Sequence, residues 1–395
     1  MGLWRSGVSA PVLVLVLGCL VHLTRANYTL DDVLKEIDPV AQSQPCSGEC
    51  VPFFLCKENG IITDGEGIID VRVGEETGAP CHYLEECCEQ RSVRDQPPPG
   101  AIKPNGIKRE LGKPTCGVRN SNGIGFRLSS NPNGEAEFGE FPWMVAVLLD
   151  NPIGGSGDSF NLYQGGGSLI APNVVLTAAH IVYNKQKDKL ILRAGEWDTQ
   201  TRNELYKHQD RQVYQVITHE AFNKGSLAND VALVILTDPF LLAENIQPIC
   251  LPPRGTTFDY QHCFASGWGK DQFGKAGKYQ VILKKIELPV VPHANCQEAL
   301  RTTRLGRRFA LHQSFLCAGG VAGQDTCRGD GGSPLVCPIP GSPTHYYQAG
   351  IVAWGIGCGT DGIPGVYASV SVFRGWIDEK LLEHNILARD YVYTS

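Results

Sequence analysis

Cysteine placement constrains this chain more than any other feature. The sequence carries 15 cysteines, of which Cys19 lies inside an apolar leader and fourteen follow it. Cys46, Cys50, Cys56, Cys81, Cys87 and Cys88 crowd one short segment. Cys116, Cys250, Cys263, Cys296, Cys317, Cys327, Cys337 and Cys358 spread over the remainder. An even number in an exported chain predicts disulfides. Residues 46–88 are too few to bury much apolar area, so cross-links must supply that segment's stability. A metal site made of those six cysteines is disfavoured in an oxidising compartment.

Export is expected from residues 1–26. Arg5 supplies a positive start, Pro11 to Val21 an apolar run, and Ala26 a small residue before the cleavage point. The run is too short for a comfortable membrane span, and no later stretch is long and apolar enough to make one. No membrane partner is therefore expected. Asn27-Tyr28-Thr29 offers a glycosylation site at the mature start. The 395 residues suit one ordinary domain plus a module, and 42% hydrophobic residues suffice for a core. A net charge of -6 argues against nucleic acid as the main partner, because phosphate binding needs a basic face. Arg301, Arg304, Arg307 and Arg308 cluster. They read as a solvated helix face, with an anionic partner site as the rival.

Residues 27–45 form an N-terminal segment, and 46–88 the cysteine-rich module. Residues 89–115 contain Pro97-Pro98-Pro99-Gly100, Lys103-Pro104 and Lys113-Pro114, and read as a stiff polar linker. In 116–395 short apolar runs alternate with Gly, Pro and Asn. Val174 to Leu176, Val213 to Ile217, Val231 to Leu236 and Gly350 to Val352 suit strands. Helical periodicity is expected only from Val372 to Leu387. Many strands and one terminal helix predict an all-β barrel or sandwich.

Three separated segments then carry chemistry. Leu176-Thr177-Ala178-Ala179-His180, Asn229-Asp230-Val231-Ala232-Leu233 and Thr326-Cys327-Arg328-Gly329-Asp330-Gly331-Gly332-Ser333-Pro334 resemble, in that order, the base, carboxylate and nucleophile segments of chymotrypsin-type serine proteases. Glu140-Phe141-Pro142-Trp143, Gly166-Gly167-Ser168-Leu169-Ile170, Ser266-Gly267-Trp268-Gly269 and Pro364-Gly365-Val366-Tyr367 extend the likeness to essentially all of 116–395. The resemblance implies a chymotrypsin-like double β-barrel with a C-terminal helix.

The nucleophile segment departs from the family pattern Gly-Asp-Ser-Gly-Gly-Pro, because Gly331 stands where the serine belongs. Glycine has no side-chain oxygen, so no acyl-enzyme can form there. Ser333 is two residues on, about 6–7 Å along an extended chain, whereas base and nucleophile must approach within about 3 Å. A second departure is independent. The family frees an amino terminus of the Ile-Val-Gly-Gly type, which pairs with the aspartate beside the nucleophile; the matching stretch here is about Arg127-Leu128-Ser129-Ser130. Asp330 persists without that partner. His180 and Asp230 then read as a hydrogen-bonded pair kept for packing. The resemblance also places Asp325 at the floor of a specificity pocket with Gly355 and Gly365 in its walls, able in principle to dock an arginine or lysine.

The same resemblance implies the pairs Cys116–Cys250, Cys263–Cys337, Cys296–Cys317 and Cys327–Cys358. The family's bridge beside the base histidine would need cysteines at Gly165 and Ile181, and both are missing together. The N-terminal module, ending in Cys87-Cys88, resembles a clip domain. That likeness implies Cys46–Cys87, Cys50–Cys81 and Cys56–Cys88. It also implies proteolytic cleavage between the third and fourth cysteines, where Arg72 is the favoured position; Lys108, Arg109 and Lys113 in the exposed linker are rivals. Glu196, Asp198, Glu204 and Asp210 supply hard oxygen ligands in a loop where some family members bind calcium. No other cofactor is expected.

A clip domain, a proline-rich linker and a serine-less protease domain together resemble the clip-domain serine protease homologues. This implies a secreted haemolymph protein that does not cut. Its expected partners are prophenoloxidase and clip-domain proteases, with self-association after cleavage, in the melanisation response of innate immunity. Two other readings stay open: a matrix or adhesion protein on the same inert fold, and a trypsin-like protease with an unorthodox nucleophile.

Overall fold

The computed structural model describes residues 116–394, except 126–127, 129–133, 153–158, 201–203, 271–278, 328 and 387–389, together with the backbone of six short strands in the N-terminal part. Those strands are β1 (Glu49–Pro52), β2 (Cys56–Lys57), β3 (Gly60–Ile61), β4 (Ile69–Asp70), β5 (Glu85–Cys88) and β6 (Gln90–Arg91). The chain divides into two compact units, residues 1–63 with 75–92, and residues 64–74 with 93–395. In the first unit β1 pairs antiparallel with β5, and β3 pairs with both β2 and β6. The leader, Asn27, Arg72, the linker basic residues and the side chains of the six clip cysteines lie outside the described residues.

The second unit holds two barrels. The first uses β7 (Met144–Pro152), β8 (Ser159–Ala171), β9 (Val174–Thr177), β10 (Leu190–Ala194), β11 (Gln209–Thr218) and β12 (Ala232–Leu236). The strand order is β8-β7-β10-β11-β12-β9, closed by β8 on β9, and β4 adds in parallel to β8. β9 and β12 are buried along their whole length, as expected of β-branched and aliphatic runs enclosed on both faces. The second barrel is closed by β13 (His262–Gly267), β14 (Lys284–Val291), β15 (Phe315–Gly319), β18 (Pro364–Ser369), β17 (Tyr346–Trp354) and β16 (Pro334–Pro338), in that order. The expected double barrel is therefore present.

Helices are few. α1 (Ala179–Val182) is a single turn, and α2 (His293–Arg301) buries only Cys296 and Leu300, too short a pattern to stand out in sequence. α3 (Val370–Glu383) buries Val370, Phe373, Ile377 and Leu381, the inward stripe of an amphipathic helix. It starts two residues earlier than periodicity suggested and stops before 387, because Asn385 takes a left-handed φ of 56° just beyond its end. Four disulfides brace the unit: Cys116–Cys250, Cys263–Cys337, Cys296–Cys317 and Cys327–Cys358.

Candidate functional site

The site forms between the barrels, from loops that three strands deliver. β9 runs straight into the α1 turn and so presents His180. Asp230 sits just before β12, after Asn229, whose left-handed φ of 59° turns the carboxylate inward. Asp230 is fully buried. Its Oδ1 accepts the His180 backbone N–H at 2.8 Å, and its Oδ2 lies 2.6 Å from His180 Nδ1. That contact places the ring proton on Nδ1 and turns Nε2 toward the loop before β16.

Nε2 meets Gly331. A Cβ added there would lie 2.7 Å from Nε2 and 3.1 Å from Ile181 Cδ1, so the imidazole and Ile181 close over the glycine. The Gly331 carbonyl accepts the Gly166 N–H at 2.9 Å. Ser333 is fully buried and faces elsewhere: its Oγ occupies the space that a Cβ on Gly166 would need. Neither Ser333 Oγ nor the buried Tyr163 hydroxyl reaches a partner of ordinary geometry among the described residues. Burial, with the nearby Asp330 charge second, raises the Tyr163 phenol well above its usual range. The absent bridge beside His180 has a local replacement. Ile181 Cδ1 would be 2.7 Å from a Cβ on Gly165, so its branched side chain fills the notch left by that glycine.

A cavity of about 440 Å³ opens beside His180 and is lined by Gly331, Trp354, Gly355, Gly365 and Asp325 among others. The Asp325 carboxylate accepts N–H groups from Thr326 at 2.8 Å and Gly359 at 3.2 Å. Burial nonetheless pushes it up to about 6. Gly365 must lack a side chain, since its Cβ would lie 2.8 Å from Asp325 Oδ1. The Cys327–Cys358 disulfide ties two walls of this cavity together. Such a chamber has the shape and charge to accept one cationic side chain.

Asp330 is held by two backbone donors, Gly269 N–H at 2.9 Å and Cys327 N–H at 2.8 Å, and burial pushes it up to about 6. The stretch expected to match the family's freed amino terminus is described only at Leu128, whose N–H donates to Glu137 Oε2 at 2.9 Å. Arg127, Ser129 and Ser130 lie outside the described residues.

Of the four carboxylates named as calcium candidates, the fold gathers two. Glu196 and Glu204 come together with His208, their donor atoms within 4.8 Å of one another. Asp210 instead makes a bidentate pair with Arg193 at 2.8 and 2.9 Å, and Asp198 Oδ1 accepts the Gln200 N–H at 3.0 Å. Glu204 Oε1 accepts N–H groups from Trp197 and Asp198, while its buried Oε2 has no partner among the described residues. Burial and then the Glu196 charge push Glu204 up to about 9. An orphaned carboxylate oxygen beside a second carboxylate fits a hard divalent cation. His208, 3.1 Å from Glu196 Oε2, was missed in sequence; its only signal is a histidine amid acidic loop residues. In the arginine cluster Arg301 contacts Glu298 at 2.7 Å and the Phe309 carbonyl at 2.8 Å, while Arg304, Arg307 and Arg308 are exposed.

Comparison with known proteins agrees with this architecture. The trypsin family model matches residues 132–377, and that of the serine protease clip domain PPAF-2 matches residues 38–89. The chain belongs to the trypsin family, as a member that carries a clip domain. Over 302 residues it is 54% identical to phenoloxidase-activating factor 2 of Galleria mellonella, covering 75% of this chain and 99% of that one. It is 38% identical over 341 residues to inactive CLIP domain-containing serine protease A8 of Anopheles gambiae, covering 85% and 89%. A third relative, inactive CLIP domain-containing serine protease A28 of the same mosquito, is 36% identical over 351 residues, again covering 85% and 89%. Two of these three relatives are thus named as inactive. Among the described residues no helix is long and apolar enough to cross a membrane.

Proposed function

We propose that this chain is a secreted, non-catalytic adaptor in prophenoloxidase activation, switched on by cleavage of its clip domain. One observation carries the reading. The intact His180–Asp230 pair faces Gly331, which offers no oxygen, while the hydroxyl of Ser333 is buried against Gly166. A base without a nucleophile leaves only the small residual rate that binding and dipoles provide. The likeness to a phenoloxidase-activating factor supports the choice of pathway. The groove around Asp325 and the exposed arginines then serves to hold protein rather than to hydrolyse it. Calcium in the Glu196–Glu204 loop would neutralise two adjacent carboxylates and stiffen the rim of the first barrel.

Two assays test this. A serine-directed fluorophosphonate should leave the pure protein unlabelled; stoichiometric labelling lost in Ser333→Ala would overturn it. Protein cut after Arg72 by a trypsin-like protease, mixed with prophenoloxidase and its activating protease, should raise phenoloxidase activity. No gain would favour the matrix or adhesion reading.

A further inference from the structure

Residues 290–324 carry four arginines, no lysine and a single acid, Glu298, in a chain whose net charge is -6. The fold divides these arginines into two kinds. Arg301, the last residue of α2, folds back: its Nε donates to the Phe309 carbonyl at 2.8 Å and its Nη1 to Glu298 at 2.7 Å. It closes the loop 301–309 and takes up the one carboxylate of the segment. Arg304, Arg307 and Arg308 are exposed and meet no carboxylate among the described residues. The Gly306 N–H donates to the Thr303 carbonyl and the Phe309 N–H to the Gly306 carbonyl, two tight turns in succession, with Gly306 at a left-handed φ of 77°. Leu305 and Phe309 pack onto the core cluster of Cys296, Leu300 and Phe315, and the Cys296–Cys317 disulfide pins the base of the loop. Apolar residues thus anchor the loop while three guanidinium groups face solvent. Like charges so close repel one another, so the fold gains no stability by holding them there.

The loop also borders the Asp325 chamber. The Phe309 ring meets the Trp354 ring edge-on, with centroids 6.2 Å apart, and Trp354 stands in the chamber wall. A negative pit and a positive rim are therefore neighbours, joined through two aromatic rings. We propose that the 304–308 loop binds an acidic polypeptide segment, one that carries Asp or Glu residues beside a single Lys or Arg seated at Asp325. The inference rests on the reading above that this surface holds protein, and it names the chemistry of the partner. Each guanidinium presents a planar fork that a carboxylate can meet with two parallel hydrogen bonds. Polymers of a single charge sign fit less well. A sulfated polysaccharide or a nucleic acid brings no cation for Asp325, and that carboxylate repels its charge. Single-stranded nucleic acid also needs exposed rings for its bases to stack on, and the one ring in this loop, Phe309, is spent on Trp354.

Fluorescence anisotropy on the full chain tests this with labelled peptides. The first has one arginine flanked on both sides by Glu residues, the second has Gln for every Glu, and the third has Gln for the arginine alone. The Glu peptide should bind about tenfold tighter than the Gln peptide, the product of three exposed ion pairs of ordinary strength. That advantage should vanish in the triple variant Arg304→Gln, Arg307→Gln, Arg308→Gln, and should fade as salt rises from about 0.05 to 0.5 M. All three side chains are exposed, so the triple variant should keep the wild-type Tm. Removing the peptide's arginine should also weaken binding. Equal affinity of the Glu and Gln peptides, or full Glu-peptide affinity in the triple variant, refutes the loop's role and leaves the protein-holding groove standing. No binding of any peptide refutes both. Equal affinity without the peptide's arginine, together with tighter binding of a heparin oligosaccharide that the triple variant loses, would assign the loop to polyanions and overturn the proposal.

Discussion

Restoring the missing oxygen gives the sharpest test of the site. In Gly331→Ser the new Cβ would start 2.7 Å from His180 Nε2 and 3.1 Å from Ile181 Cδ1. Ordinary contact requires about 3.4 Å or more, so the ring must retreat by roughly 0.7 Å, a small-to-large change of the kind that costs about 1–3 kcal/mol in a packed site. The ring cannot retreat freely, because Nδ1 is held 2.6 Å from a fully buried Asp230. For a domain of this size such a cost lowers Tm by roughly 2–10 °C. The same variant should gain fluorophosphonate labelling, lost again in the double variant with His180→Ala. The rate should stay about 10²–10³-fold below that of a competent trypsin-like protease, the typical loss when one oxyanion donor is missing, because among the described residues no ammonium reaches Asp330 to fix the loop beside it. Scanning calorimetry and time-resolved labelling read the two effects separately. Labelling at full protease speed with an unchanged Tm would refute the reasoning, since both the closed space above Gly331 and the unfixed loop would then be irrelevant.

Four further outcomes follow from buried groups. Glu204 is raised to about 9 by burial and Glu196, so the folded state holds a proton that the unfolded chain releases near its ordinary value; stability should fall as pH rises from about 4.5 toward 9. Calcium should displace that proton, giving a Tm gain larger at pH 8 than at pH 6 and absent in Glu204→Gln, as differential scanning fluorimetry would show. Arg193 is only 1% exposed and pairs with both Glu196 and Asp210, so Arg193→Ala should cost about 3–5 kcal/mol in denaturant unfolding by stranding a buried carboxylate. Gly166→Ala should destabilise through its clash with Ser333 Oγ, and adding Ser333→Gly should recover much of the loss, a coupling of about 0.5–3 kcal/mol.

The barrels were legible because their signal is local. Buried strands such as Ala232–Leu236 and Val174–Thr177 are apolar along their length, and the ordered motifs around His180, Asp230 and Gly331 fix which segments meet. Side-chain partnerships that depend on loop shape were not legible. Asp210 looked like a free carboxylate in the acidic loop, but Arg193, on β10, faces it across the sheet from β11 and takes it. His208 reads as an ordinary polar residue until the loop folds it onto Glu196. The missing cysteines at Gly165 and Ile181 leave the His180 turn without the family's bridge. The structure instead packs Ile181 into the space over Gly165 and the Gly331 carbonyl, because a branched aliphatic chain can fill what a disulfide once spanned.

Retention of His180 and Asp230 needs no chemistry to explain it. Asp230 is fully buried and carries both the backbone N–H and the ring of His180. Replacing Asp230 by an apolar residue would leave two donors at the start of α1 without an acceptor, each costing about 1–3 kcal/mol. Replacing His180 would leave a buried carboxylate short of its partner, a larger penalty still. Gly331 is under no such hold, since the hydrogen bond its carbonyl accepts from Gly166 needs no side chain. The nucleophile position is therefore the one member of the constellation that the fold can surrender without losing stability, and the closed packing of His180 and Ile181 over it makes the loss hard to reverse by one substitution.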